Sequence, residues 1–126
     1  MSKKHITLNP GRSMPFCSAV IAGDYIYLSG TAATRSEDGK PISNIEGQVH
    51  GCFKSMKKTL EAAGASLRDV AKVTCFLKNQ SDFGKMNEIY KNYFEGMDLP
   101  ARSTIVTDLV MPQMLLEIEL VAYKPQ

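Results

Sequence analysis

"LLEIELVAYK", residues 115–124, carries apolar side chains in both phases of a two-residue alternation. Leu116, Ile118, Leu120 and Ala122 fall on one side, and Leu115, Val121 and Tyr123 on the other, beside Glu117 and Glu119. Successive side chains of a strand point to opposite faces, so the stretch predicts a strand in a sheet that is apolar on both faces. Helices of the same chain can cover one face. The second then needs a covering of its own, which another subunit can supply.

Upstream, "ARSTIVT" (101–107) predicts the neighbouring strand, joined to the last one through Asp108 to Gln113. "SDFGKMNEIYKNYFE" (81–95) returns Phe83, Met86, Tyr90 and Tyr93 at helical spacing, and "DVAKVTCFLK" (69–78) alternates as a half-buried strand. The clearest element precedes these. Ile45, Val49, Cys52, Phe53, Met56, Leu60 and Ala63 recur along one helical face until Gly64, with Ser43 and Glu46 spaced as a capping box. "SAVIAG" (18–23) and "YIYLSG" (25–30) read as a hairpin turning at Gly23-Asp24, "HITLN" (5–9) as an earlier strand, and "ATRSEDGKPIS" (33–43) as turns. The order is three strands, helix, strand, helix, two strands, which predicts an α+β domain with both helices on one face of a single sheet.

With 126 residues and neither a repeat nor a linker-like composition shift, residues 1–126 are expected to form one domain. Hydrophobic residues at 44% and charged residues at 22% place the chain among folded globular proteins. A net charge of +2, from 15 basic and 13 acidic residues that are scattered, argues against a polyanion partner such as nucleic acid. No window approaches the roughly 20 apolar residues of a membrane span, and Cys17, Cys52 and Cys75 are odd in number and widely spaced. A cytoplasmic protein with free thiols and no membrane contact is the expectation. The two histidines and three cysteines lack metal-ligand spacing and no glycine-rich loop precedes either helix, so neither a metal nor another cofactor is implied.

Four motifs in order, "YLSG" (27–30), "MNEIYKNYF" (86–94), "PARS" (100–103) and "LLEIE" (115–119), give a chain that resembles the Rid/YjgF family of imine deaminases over essentially its whole length. The resemblance implies a chorismate-mutase-like fold and a homotrimer whose sheets form an inner β-barrel, with sites in clefts between subunits. It implies hydrolysis of reactive enamines and imines, such as 2-aminoacrylate, to a 2-keto acid and ammonia. Position by position, it assigns the substrate carboxylate to Arg102, the attacking water to Glu117, and the cleft to Ser29, Gly30, Asn87, Phe16 and Thr104.

These residue types suit that chemistry. A guanidinium meets a planar carboxylate with two parallel charge-assisted hydrogen bonds and stays ionised at every relevant pH. Glu117, between apolar neighbours, is placed to exchange protons with water. Read without the resemblance, Arg102 equally serves a salt bridge or a solvated face, Glu117 with Glu119 a solvated stripe, Ser29 a turn and Asn87 a helix surface. Three positions depart from the family pattern. Phe16 stands where a tyrosine is usual, Thr104 where cysteine is frequent, and Thr31 follows "SG" where glutamine is common.

Two other functions compete. A ribonuclease attacking through the 2′-hydroxyl calls for an acid–base pair, whereas His5 and His50 fall in different elements and the chain has no tryptophan to stack bases. A non-catalytic binder of small carboxylates would share Arg102 and differ in whether Glu117 delivers water.

Overall fold

The computed structural model describes residues 2–9 and 13–125. Six strands and two helices follow in the expected order: β1 (Lys4–Ile6), β2 (Ala19–Ala22), β3 (Tyr25–Leu28), α1 (Ile45–Ala62), β4 (Val70–Leu77), α2 (Phe83–Tyr93), β5 (Ala101–Val106) and β6 (Leu116–Tyr123). Short 3₁₀ turns at Leu67–Asp69 and Gln80–Asp82 lead into β4 and α2. The strands form one mixed sheet in the order β1-β2-β3-β6-β4-β5, antiparallel except for β4 and β5. That parallel pair is joined by α2, since parallel neighbours need a crossover.

Both helices lie on one face. Val49, Cys52, Phe53, Met56 and Leu60 of α1 and Met86, Ile89 and Tyr90 of α2 pack with Ile26, Val73, Cys75, Leu77, Leu116, Ile118 and Leu120 of the sheet in one buried cluster. The expected fold class holds. Helix α1 starts one residue later than the Ser43 capping box implies: Asn44 is the N-cap, its side chain accepting the Gly47 N–H at 2.7 Å. An asparagine cap satisfies the same orphan donor as a serine would, so local spacing alone did not choose between neighbours. At the hairpin, Gly23 takes φ 62°, a conformation that favours glycine and lets β2 return directly as β3.

The helical pattern of apolar residues passes over Gln48, which is fully buried in α1. Its amide donates to the carbonyls of Ile42 (2.8 Å) and Gln113 (3.0 Å), and its Oε1 accepts the Leu115 N–H at 2.8 Å. One side chain thus ties α1 to the start of β6. Gln48→Leu keeps the volume but strands three backbone groups; at about 1–3 kcal/mol for each buried unsatisfied group, the variant should lose at least about 3 kcal/mol of stability. A urea midpoint at fixed protein concentration measures it.

The opposite face of the sheet has no helix. Tyr25, Tyr27 and Tyr123 are each close to half exposed there; Tyr27 is in register with Val121 and Tyr25 with Tyr123, whose rings meet at 5.3 Å. Ile105, in register with Phe76, extends this surface toward the β5 edge.

Candidate active site

The β3–β6 ladder is interrupted where the site begins. Tyr27 pairs with Val121, and pairing resumes at Thr31 and Ile118, whose backbones exchange hydrogen bonds of 2.8 and 2.9 Å. Between these pairs three residues, Leu28, Ser29 and Gly30, face two, Glu119 and Leu120. An extra residue on one strand bends it and turns side chains away from the ladder. Here it opens a cleft of about 680 Å³.

Phe16, Ser29, Gly30, Thr31 and Glu117 all line that cleft. Ser29 donates its hydroxyl to the Cys17 carbonyl at 2.7 Å, which secures the segment bearing Phe16 against the end of β3. Phe16 is 56% exposed, so its ring is a wall facing the opening. Met111 and Met114, from the loop before β6, add flexible apolar surface that no periodicity announces.

Gly30 and Glu117 fit each other. A Cβ at position 30 would overlap the Glu117 carboxylate and stand 2.9 Å from its Cδ, so only a residue without a side chain lets that carboxylate lie against the backbone. Since Glu117 can swing its flexible end aside, Gly30→Ala should fold and melt near the wild type while moving the carboxylate. If Glu117 takes part in the chemistry, turnover falls by up to about 10²-fold, the cost of a misplacement of about an ångström, with the melting temperature as the control.

Arg102 stands elsewhere. It pairs with Val73 on β4, and Thr104 with Cys75, so both follow the parity of the helix-covered face. Glu117 pairs with Phe76 and has the opposite parity, like Ile105. The Arg102 guanidinium carbon lies 4.7 Å from the Tyr90 ring centroid and 5.8 Å from that of Phe83, both on α2. Asn87 occupies the turn between them and is half-buried. The hydroxyls of Thr104 and Tyr90 are buried without a hydrogen-bond partner among the described residues.

The residues singled out from sequence therefore form two groups. Phe16, Ser29, Gly30 and Glu117 share the cleft; Arg102, Asn87 and Thr104 share the seam between α2 and the edge strand β5, and none of these three lines the cleft. Phe83 and Tyr90, which helical spacing reads only as core, belong to the second group.

The chain matches the family model described as endoribonuclease L-PSP over residues 7–124. A RutC family protein of Pyrococcus horikoshii is 39% identical over 111 residues, 87% of each chain. The chain belongs to the Rid/YjgF family. A 2-iminobutanoate/2-iminopropanoate deaminase of the mite Dermatophagoides farinae is 33% identical over 123 residues, covering 94% of this chain and 95% of that one. Among solved structures, a Rid family protein of Yersinia pestis superposes with a TM-score of 0.89 at 29% identity, covering 97% of this chain and 99% of its own.

Within this Rid/YjgF chain the two buried thiols are subdued. Burial pushes the Cys52 thiol up to about 12 and that of Cys75 up to about 11, so both stay protonated at neutral pH. Among the described residues no three His, Cys, Asp or Glu side chains gather as metal ligands, and no helix is long and apolar enough to cross a membrane.

Proposed function

We propose that this protein is a hydrolytic deaminase of reactive 2-imino acids and their enamine tautomers, releasing a 2-keto acid and ammonia, and that it acts as a homotrimer. The observation that carries the reading is the division of the site. Among the described residues, those lining the cleft include Glu117 but no lysine or arginine, while Arg102 lies across the sheet with no acidic side chain within 4 Å. A substrate with both a carboxylate and a hydrolysable C=N bond needs both halves, and an interface that brings one subunit's seam to its neighbour's cleft unites them. The uncovered face with Tyr25, Tyr27 and Tyr123 supports such an assembly, because an apolar face of this kind seeks a partner.

The roles follow from chemistry. Arg102 fixes the carboxylate through a two-point fork. Glu117 takes a proton from water as its oxygen adds to the carbon of the protonated imine, giving a neutral carbinolamine. Glu117 returns that proton to the nitrogen and then takes up the carbinolamine's hydroxyl proton as ammonia leaves and the carbonyl forms. Phe16, Ser29, Gly30, Asn87 and Thr104 shape and polarise the surroundings. The similarity to the mite deaminase supports this reaction.

The ribonuclease reading finds less support. His5 lies against the Cys17 thiol at 3.7 Å on β1, and His50 is bonded to the Tyr93 hydroxyl on the helices, so neither is paired with the other or with a carboxylate. The deciding experiment generates imines from several amino acids with an amino-acid oxidase and follows their disappearance with and without the protein. Accelerated loss supports the proposal; unchanged lifetimes for every imine contradict it.

A further inference from the structure

Arg102 is half-buried, yet no carboxylate neutralises it among the described residues. Its charge rests instead on the faces of two rings. Tyr90 is held firmly: its ring packs on Phe94 at 4.9 Å and edge-on to Phe53 at 5.8 Å, inside the hydrophobic cluster. Phe83, at the first position of α2, is 40% exposed and lies 5.8 Å from the guanidinium. A ring face attracts a cation without occupying its N–H groups, so an arginine held this way keeps its donors for an incoming anion. A salt bridge would orient the side chain as well but consume those donors.

Resting on the reading of Arg102 as the carboxylate anchor, we propose that Tyr90 and Phe83 are positioning residues that form an aromatic shelf under Arg102 and preset its fork for a planar carboxylate. The Tyr90 hydroxyl is buried and has no hydrogen-bond partner among the described residues, which normally costs stability. The ring face is therefore the part the shelf uses.

The experiment compares Phe83→Ala, Tyr90→Phe and Tyr90→Leu with the wild type in three measurements: KM and kcat for the alanine-derived imine, the Kd of pyruvate, and the order of the Arg102 Nε–H group by nuclear magnetic resonance relaxation. Loss of a cation–π contact corresponds to about threefold to thirtyfold, so Phe83→Ala and Tyr90→Leu should raise KM and Kd within that range while kcat changes less than about twofold. Both should also loosen the Arg102 Nε–H group. Tyr90→Phe should match the wild type in all three and melt no lower. Because Phe83 lies at the surface end of α2, its variant tests the shelf even if Tyr90→Leu does not fold.

Unchanged order of Arg102 Nε–H in Phe83→Ala, or a tenfold fall of kcat in Tyr90→Phe, would overturn the proposal, the latter by placing the hydroxyl in the chemistry. Failure of the deaminase reading looks different. The wild type would then neither hydrolyse imines nor bind pyruvate, while the relaxation measurement still decides whether the rings order Arg102.

Discussion

Arg102→Ala is expected to lower kcat/KM for 2-imino acids by about two to four powers of ten, the equivalent of two hydrogen bonds to a charged group at about 1.5–3 kcal/mol each. Arg102→Lys keeps the charge but presents a point cation in place of a fork, so it should lose one of those bonds and about one to two powers of ten. The losses should recur as a weaker Kd for pyruvate, since the anchor acts on the carboxylate before and after reaction alike. Because Arg102 lies on the edge strand β5, sizing with light scattering must accompany the kinetics. An alanine variant that keeps its assembly and hydrolyses imines at a near-normal rate would reduce Arg102 to a cation resting on two rings.

Glu117→Gln should have the opposite signature. The amide keeps the size of the side chain and its fit against Gly30 but cannot take a proton from water. General base catalysis is worth about 10²–10⁴-fold, so kcat should fall by that order while pyruvate binding changes by less than about threefold. Pyruvate binding with no turnover in the wild type as well would favour the non-catalytic carboxylate binder. Gly30→Ala, which displaces the same carboxylate without removing it, should fall between wild type and Glu117→Gln.

The elements of the fold were legible because their signals are local. The apolar positions from Ile45 to Ala63 recur every three to four residues, and the two apolar phases of residues 115–124 reappear as the buried series Leu116 to Ala122 and a second face carrying Val121 and Tyr123. Features set by the other side of a contact were not legible. Nothing near Gln48 reveals that the carbonyl of Gln113 and the N–H of Leu115, 65 and 67 residues away, will complete its hydrogen bonds. Similarly, "YLSG" does not reveal the bulge at Ser29 and Gly30, because a bulge is a mismatch between two strands.

The site shows the same limit. Motif resemblance gathers Arg102, Glu117, Ser29, Gly30, Asn87, Phe16 and Thr104 as one set, but membership of a set carries no face. Arg102 follows the helix-covered parity only because β5 pairs with β4 in the register Val73 to Arg102, and Glu117 the other parity because β6 pairs Phe76 with Glu117. A shift of one residue in either ladder would exchange the faces. Phe83 and Tyr90 carry no signal of their own for a related reason, since a ring that packs inward at helical spacing looks the same whether or not a guanidinium lies on it.

The division of the site between two subunits is the central claim, and subunit mixing tests it most directly. Arg102→Ala and Glu117→Gln are each expected to be nearly inactive; the two are unfolded together, refolded as a random mixture, and assayed against an amino-acid-derived imine. If each site takes Arg102 from one subunit and Glu117 from its neighbour, mixed trimers contain sites with both residues intact, and about a quarter of wild-type activity should return. If the two residues serve the same site from one chain, no mixed assembly restores a complete pair, and activity that stays at the level of the separate variants would contradict the account.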